Sequence, residues 1–131
     1  MGYGSKQIKN KTNIVSVDNI KDIPNELSKY KVFVCPLRYG AGLKKKILDA
    51  MAAKTPIVST SFGVEGIKNL ENNYFDINSK TFIKKIIELY TNKKIWQHES
   101  NKNYNIVKKY YSTNSFKKYI RKFIQLINKN N

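Results

Sequence analysis

Two short apolar runs flank a segment of helical period, and that order leaves few folds open to the chain. Lys31–Leu37 (KVFVCPL) is almost continuously apolar, as a strand buried on both faces is. Leu43–Lys54 (LKKKILDAMAAK) sets Leu43, Ile47, Ala50 and Met51 on one side at helical spacing. Thr55–Ser61 (TPIVSTS) reads as the next strand, with Pro56 near its start, where a missing N–H is tolerated. Strand, helix, strand with short loops predicts a crossover unit and parallel pairing. Ligands of such sheets bind at the carboxyl ends of the strands. The loops Arg38–Gly42 and Phe62–Gly66 therefore fall on one rim.

The flanking segments extend this α/β reading. Met1–Thr12 is polar and without period, a loop or the end of a strand. Asn13–Val17 (NIVSV) is a β-branched run and is predicted as a strand. Pro24 opens a short helix over Asn25–Tyr30. Phe62–Asn73 is predicted as loop and Tyr74–Ile77 as a last short strand. From Ser79, a plausible N-cap, the pattern is purely helical. One helix is expected to about Asn92, with Phe82, Ile83, Ile86, Ile87 and Tyr90 inward. A second runs from about Ile95 to Tyr111, and a third starts at Thr113 or Asn114. In the third, Phe116, Tyr119, Ile120, Phe123, Ile124 and Ile127 form one stripe, expected to be core. Two other uses of that stripe stay open: packing on a further domain, or lying on an anionic membrane surface. The expectation is one domain over residues 1–131: a Rossmann-like parallel sheet region, 1–78, followed by C-terminal helices, 79–131.

Composition decides which partners to weigh. The net charge is +16, with 12 basic and 7 acidic side chains in residues 1–78 and 13 and 2 in residues 79–131. Such an excess points toward nucleic acid or an anionic surface. Yet only Arg38 and Arg121 are arginines, and base readers favour the bidentate guanidinium. The wealth of Lys, Asn and Ile also fits a bias in codon usage, so a nucleic-acid partner is not expected. The single cysteine, Cys35, lies in an apolar run and rules out a disulfide framework; it reads as a small buried hydrophobe. His98, the one histidine, sits in a polar helical stretch and reads as a surface residue. With no signal peptide or apolar span in the sequence, a cytoplasmic location is expected, with peripheral membrane contact left open.

The chemistry concentrates in Pro36–Ile67 (PLRYGAGLKKKILDAMAAKTPIVSTSFGVEGI). Gly40 and Gly42 allow a tight turn and close backbone approach. The helix after them aims N–H groups and its positive dipole end at the loop. Lys44, Lys45 and Lys46 stand in its first turns, where cations are disfavoured unless an anion neutralises them. A diphosphate is the natural candidate. Asp49 has two readings: a ribose-binding carboxylate, or a helix-face acid paired with Lys45 or Lys46.

This stretch resembles the C-terminal, donor-binding domain of GT-B glycosyltransferases of the group 1, family 4-like kind. Pro36, Leu37, Gly40, Gly42, Lys44, Lys46, Leu48, Asp49, Ala50, Met51, Ala52, Pro56, Ile57, Val58 and Thr60 fall into the family's pattern, followed by Gly63, Glu65 and Gly66. Asn103, Val107, Tyr111 and Ser112 match its terminal helices. The resemblance implies binding of a UDP- or GDP-sugar as substrate and transfer of its glycosyl group to an acceptor. It implies that the backbone of Gly40, Ala41, Gly42 and Leu43 meets the diphosphate, that Lys44 and Lys46 offset its charge, that Asp49 serves the ribose, and that Glu65 and Gly66 line the nucleotide side. It implies no metal and no separate cofactor. The sequence departs from the pattern at Asp49, a glutamate in the family, at Ala41, where many relatives carry another glutamate, and at Lys54, a glycine in the family. Set against that family, the chain is expected to start later than a complete C-terminal domain and to be without the acceptor-binding N-terminal domain. Activity is therefore expected to need a partner chain. The alternatives are a basic nucleic-acid or anionic-surface binding module, or an inactive remnant of a glycosyltransferase.

Overall fold

The computed structural model describes residues 13–15, 17, 19–70 and 74–129. Their elements run α1 (Ile23–Ser28), β1 (Phe33–Cys35), α2 (Lys45–Ala52), β2 (Ile57–Ser59), α3 (Ser61–Val64), α4 (Lys80–Thr91), α5 (Lys93–Tyr110) and α6 (Thr113–Lys129). β1 and β2 pair in parallel, with Phe33 opposite Ile57, Val34 opposite Val58 and Cys35 opposite Ser59. The predicted strand–helix–strand unit is thus present, with strands shorter than the apolar runs that encode them.

Side chains alternating along β2 divide the core. Ile57 joins Cys35, Ile47, Ala50, Met51, Val64, Ile67, Leu70 and Ile106, a cluster drawn mainly from α2, α5 and the segment after α3. Val58 points the other way, to Phe82 and Leu89 of α4. All three residues of β2 are buried, so the sheet has helices on both faces as a parallel sheet requires. Each fully buried Ile or Met contributes about 1.5–3 kcal/mol of burial free energy.

Helix ends follow their caps. Asp22 accepts from Asn25 N at 3.1 Å, so α1 begins at Ile23 rather than Asn25 and stops at Ser28. Ser79 accepts from Phe82 N at 3.2 Å and opens α4 as the sequence predicts. Asn92 ends α4 and caps α5 through Lys94 N and Ile95 N.

Several expectations are corrected. Met1–Thr12 lies outside the described residues. Asn13–Val17 is not a strand where described: Asn13 has φ 73°, Val15 is 85% exposed, and Ile14 and Val17 are also exposed. β-branched residues gain little from extended backbone without a paired neighbour. Tyr74–Ile77 is not a strand either. Phe75 N reaches Ser59 O at 2.9 Å, but Asp76 then folds into a turn, its side chain accepting from Asn78 N and its carbonyl from Ser79 N. Within the predicted Phe62–Asn73 loop, of which 71–73 are not described, the first residues belong to the one-turn helix α3. In α4 the buried residues are Phe82 and Leu89, while Ile83, Ile87 and Tyr90 face solvent. Leu43 precedes α2 and is exposed, leaving Ile47, Ala50 and Met51 as the buried face.

The largest correction concerns α6. Phe116, Tyr119, Ile120, Phe123, Ile124 and Ile127 are between 43% and 66% exposed and belong to no core cluster. The helix is held mainly at its start, where Ser112 Oγ accepts from Ser115 N and Ser115 Oγ donates to Lys109 O. No helix among the described residues is long and apolar enough to cross a membrane.

Candidate functional site

The rim is built where β1 and β2 end. Past β1, Gly40 (φ 129°) and Gly42 (φ 76°) take conformations that L side chains rarely adopt. They deliver the chain into α2 through Lys44, an extended residue that makes no side-chain cap bond. The first ladder bonds of α2 run from Ile47 N and Leu48 N to Lys44 O, at 2.9 and 3.4 Å. No acceptor among the described residues takes the amides of Gly40 through Lys46. Those donors and the positive end of α2 converge on the same rim.

Past β2, close packing fixes the second loop. Thr60 Oγ1 donates to Leu37 O, and buried Ser59 Oγ donates to Cys35 O at 3.0 Å. Gly63 of α3 leaves no room for a side chain: an added Cβ would stand 1.9 Å from Ser59 Oγ and 3.2 Å from Ile47 Cδ1. α3 is thus pressed against β2, and Glu65 and Gly66 emerge beside the first loop. From the tail, Tyr111 Oη accepts from Lys68 N at 2.9 Å and donates to Gly66 O at 3.2 Å.

Most of the predicted residues come together here. Lys44 Nζ donates to Gly42 O and stands 3.7 Å from Glu65 Oε2, joining the two loops. Leu43 Cδ1 lies 4.0 Å from where a Cβ on Gly66 would be. Lys46 is exposed, and its ammonium acts with that of Lys44 on the Cys35 thiol. Burial pushes that thiol above its ordinary range and the two lysines oppose the shift only in part, so Cys35 is a protonated core residue. Lys45 turns elsewhere and bonds Asp49 through both carboxylate oxygens at 2.9 and 2.8 Å. Of the two readings of Asp49, the helix-face ion pair is the one formed in the structure. His98 is exposed, on α5.

Other lining residues were not assigned to the site from the sequence, although Leu37 and Thr60 lie in the family pattern and Arg38 and Phe62 in the two named loops. Leu37, Arg38, Thr60, Phe62, Tyr74 and Asp76 border a cleft of about 310 Å³. An adjoining cleft of about 340 Å³ is lined by Ser61, Phe62, Val64, Glu65, Gly66 and Tyr74. Arg38, Thr60 and Phe62 were legible in principle, because they directly follow the strands. Tyr74 was not, because it arrives from a segment misread as a strand. Among the described residues no group of three or more His, Cys, Asp or Glu side chains stands close enough to hold a metal.

The parallel βαβ unit, with helices on both faces and free amides at its strand ends, makes this a mixed α/β domain. The family described as Glycosyl transferases group 1 matches residues 2–92, and the chain belongs to it. The matched span includes both strands, the rim and α4; α5 and α6 lie beyond it. No curated protein and no solved structure matches the chain.

Proposed function

We propose that this rim is the donor site of a GT-B glycosyltransferase and that it holds the diphosphate of a UDP- or GDP-sugar. The single observation that carries the reading is the row of amides from Gly40 to Lys46 with no acceptor among the described residues, set at the start of α2 with Lys44 and Lys46 beside it. In transfer, the bond between the sugar's anomeric carbon and the diphosphate oxygen breaks. The glycosyl group passes to an acceptor oxygen and a nucleoside diphosphate leaves. The amides, the helix dipole and the lysines stabilise charge gathering on that leaving group, the work a metal ion does in other enzymes. Lys44 would exchange its contact with Gly42 O for a phosphate oxygen. Asp49 can accept from a ribose hydroxyl while keeping Lys45, since a carboxylate has four acceptor positions. Glu65 and Gly66 would border the nucleotide. The acceptor and its base belong to a second domain facing the rim, as in other two-domain transferases, where water must be excluded from between the halves.

Amide-resolved NMR titration with UDP and with GDP tests the reading. Shifts should concentrate at Gly40–Lys46 and at Glu65–Gly66. Lys46→Ala removes one charge-assisted contact and should weaken binding by about 5–30-fold. Unchanged affinity in that variant, or shifts centred elsewhere, would sink the assignment.

A further inference from the structure

A carboxylate stands beside a rim whose other groups favour an anion. Two acids occur in Pro36–Ile67, Asp49 and Glu65. Asp49 is taken up by Lys45 through both oxygens. Among the described residues Glu65 pairs with Lys44 alone, Oε2 to Nζ 3.7 Å, too long for a hydrogen bond. The Glu65 side chain is 53% exposed and that of Lys44 only 13%. We propose that Glu65 decides which anions the rim retains. It neutralises Lys44 in the empty site, and by repulsion it favours a nucleotide sugar over the nucleoside diphosphate left after transfer. The inference rests on the donor-site reading above and adds a charge filter to it.

The pair is not what holds the two loops. Gly63 packed on Ser59 and Ile47, and Tyr111 bonded to Gly66 O and Lys68 N, fix the chain on either side of Glu65. A long, half-exposed ion pair adds little to stability. Its effect is on charge. Lys44 is largely buried and donates to Gly42 O, so its ammonium stays near its place when a ligand arrives. With Nζ 3.7 Å from Glu65 Oε2, a phosphate oxygen bonded to Lys44 at about 2.8 Å lies within about 6.5 Å of the carboxylate. That is inside the screening length of about 8 Å at physiological salt.

Donor and product differ in charge at this point. The diphosphate of a nucleotide sugar is a diester with two negative charges. Once its bond to the anomeric carbon breaks, the terminal phosphate gains a second ionisation, which is complete well above about pH 6. The amides, the helix dipole and the lysines attract both molecules. Glu65 repels both, and the product more. Part of the stabilisation of the leaving group is given up for faster release.

Calorimetric titration of the full chain at pH 8 tests this, with UDP against UDP-glucose and GDP against GDP-mannose. In Glu65→Gln both members of a pair should bind more tightly, the nucleotide sugar by about two- to threefold and the free diphosphate by about four- to tenfold. The difference should narrow as salt rises, and the melting temperature should not change. Glu88→Gln, the same change of net charge on α4, should alter neither affinity. If Glu65 only shaped the loop, its loss would weaken both ligands alike. Equal gains for both, a loss for either, or the same difference in Glu88→Gln would overturn the proposal and leave the diphosphate at the rim. Absence of binding by all four nucleotides, in wild type and variant alike, would remove the donor-site reading and this one with it.

Discussion

At the scale of single residues, three positions make opposite demands on the backbone. Gly63 has no space to grow. In Gly63→Ala the new methyl drives Ser59 Oγ away from Cys35 O, stranding a buried hydroxyl, and crowds Ile47. A loss of about 1–3 kcal/mol is expected in urea unfolding, and adding Ser59→Ala should recover part of it. Lys54 shows the reverse. It follows α2 with φ 60°, where its family has glycine. Lys54→Gly relieves roughly 1 kcal/mol of left-handed strain and gives up roughly 0.5 kcal/mol from the ammonium 4.9 Å above the Tyr104 ring. A net gain of about 0.5 kcal/mol should appear as a slightly higher melting temperature. Cys35 sets an alkaline limit. Burial raises its thiol pKa in the folded chain, so below the ordinary thiol pKa both states hold the proton and stability does not depend on this group. Above that value the unfolded chain ionises first, and stability falls as pH rises toward the folded value. Unfolding at pH 8 and pH 10 should show the fall, and Cys35→Ala should reduce it. Of these constraints, the Lys54 strain was legible in the sequence as a missing C-cap glycine. The Gly63 contact was not, because it depends on Ser59 lying across a gap no pattern measures.

Among the elements, what could be read was what sequence period carries. The β1–α2–β2 unit, the Ser79 cap and α5 all stand within a few residues of expectation, because a helix face or a buried strand writes itself into consecutive residues. The Asn13–Val17 and Tyr74–Ile77 strands failed because extended structure needs a neighbour, and a run of Val and Ile does not say whether one is present. The α6 stripe failed differently: its period was right, but a period cannot say what the face meets. The rim was assembled from two loops that the sequence named, while Tyr111, which fastens the second of them, was visible only as a family pattern in the tail. Tyr111→Phe removes one donated and one accepted bond. It should cost about 1–2 kcal/mol and speed amide exchange at Gly66 and Lys68. Unaltered exchange there would mean that the loop holds its shape without the tail.

For the whole molecule, α5 is the strap. Trp96 Nε1 donates to Lys31 O at the entry to β1, Ser100 Oγ to Lys54 O behind α2, and the residue after the helix, Tyr111, holds the rim. Three separate loops of the sheet region thus hang on one continuous rod, whereas α6 is fastened chiefly through Ser112 and Ser115. The tail therefore has a sharp trimming point. A chain stopped just after Ser115 keeps every one of these fastenings and should melt where the full chain does. One stopped at Lys109 forfeits Tyr110 and Tyr111 and should melt lower, with its rim the first part open to protease. Within those six positions, shortening passes from harmless to disabling.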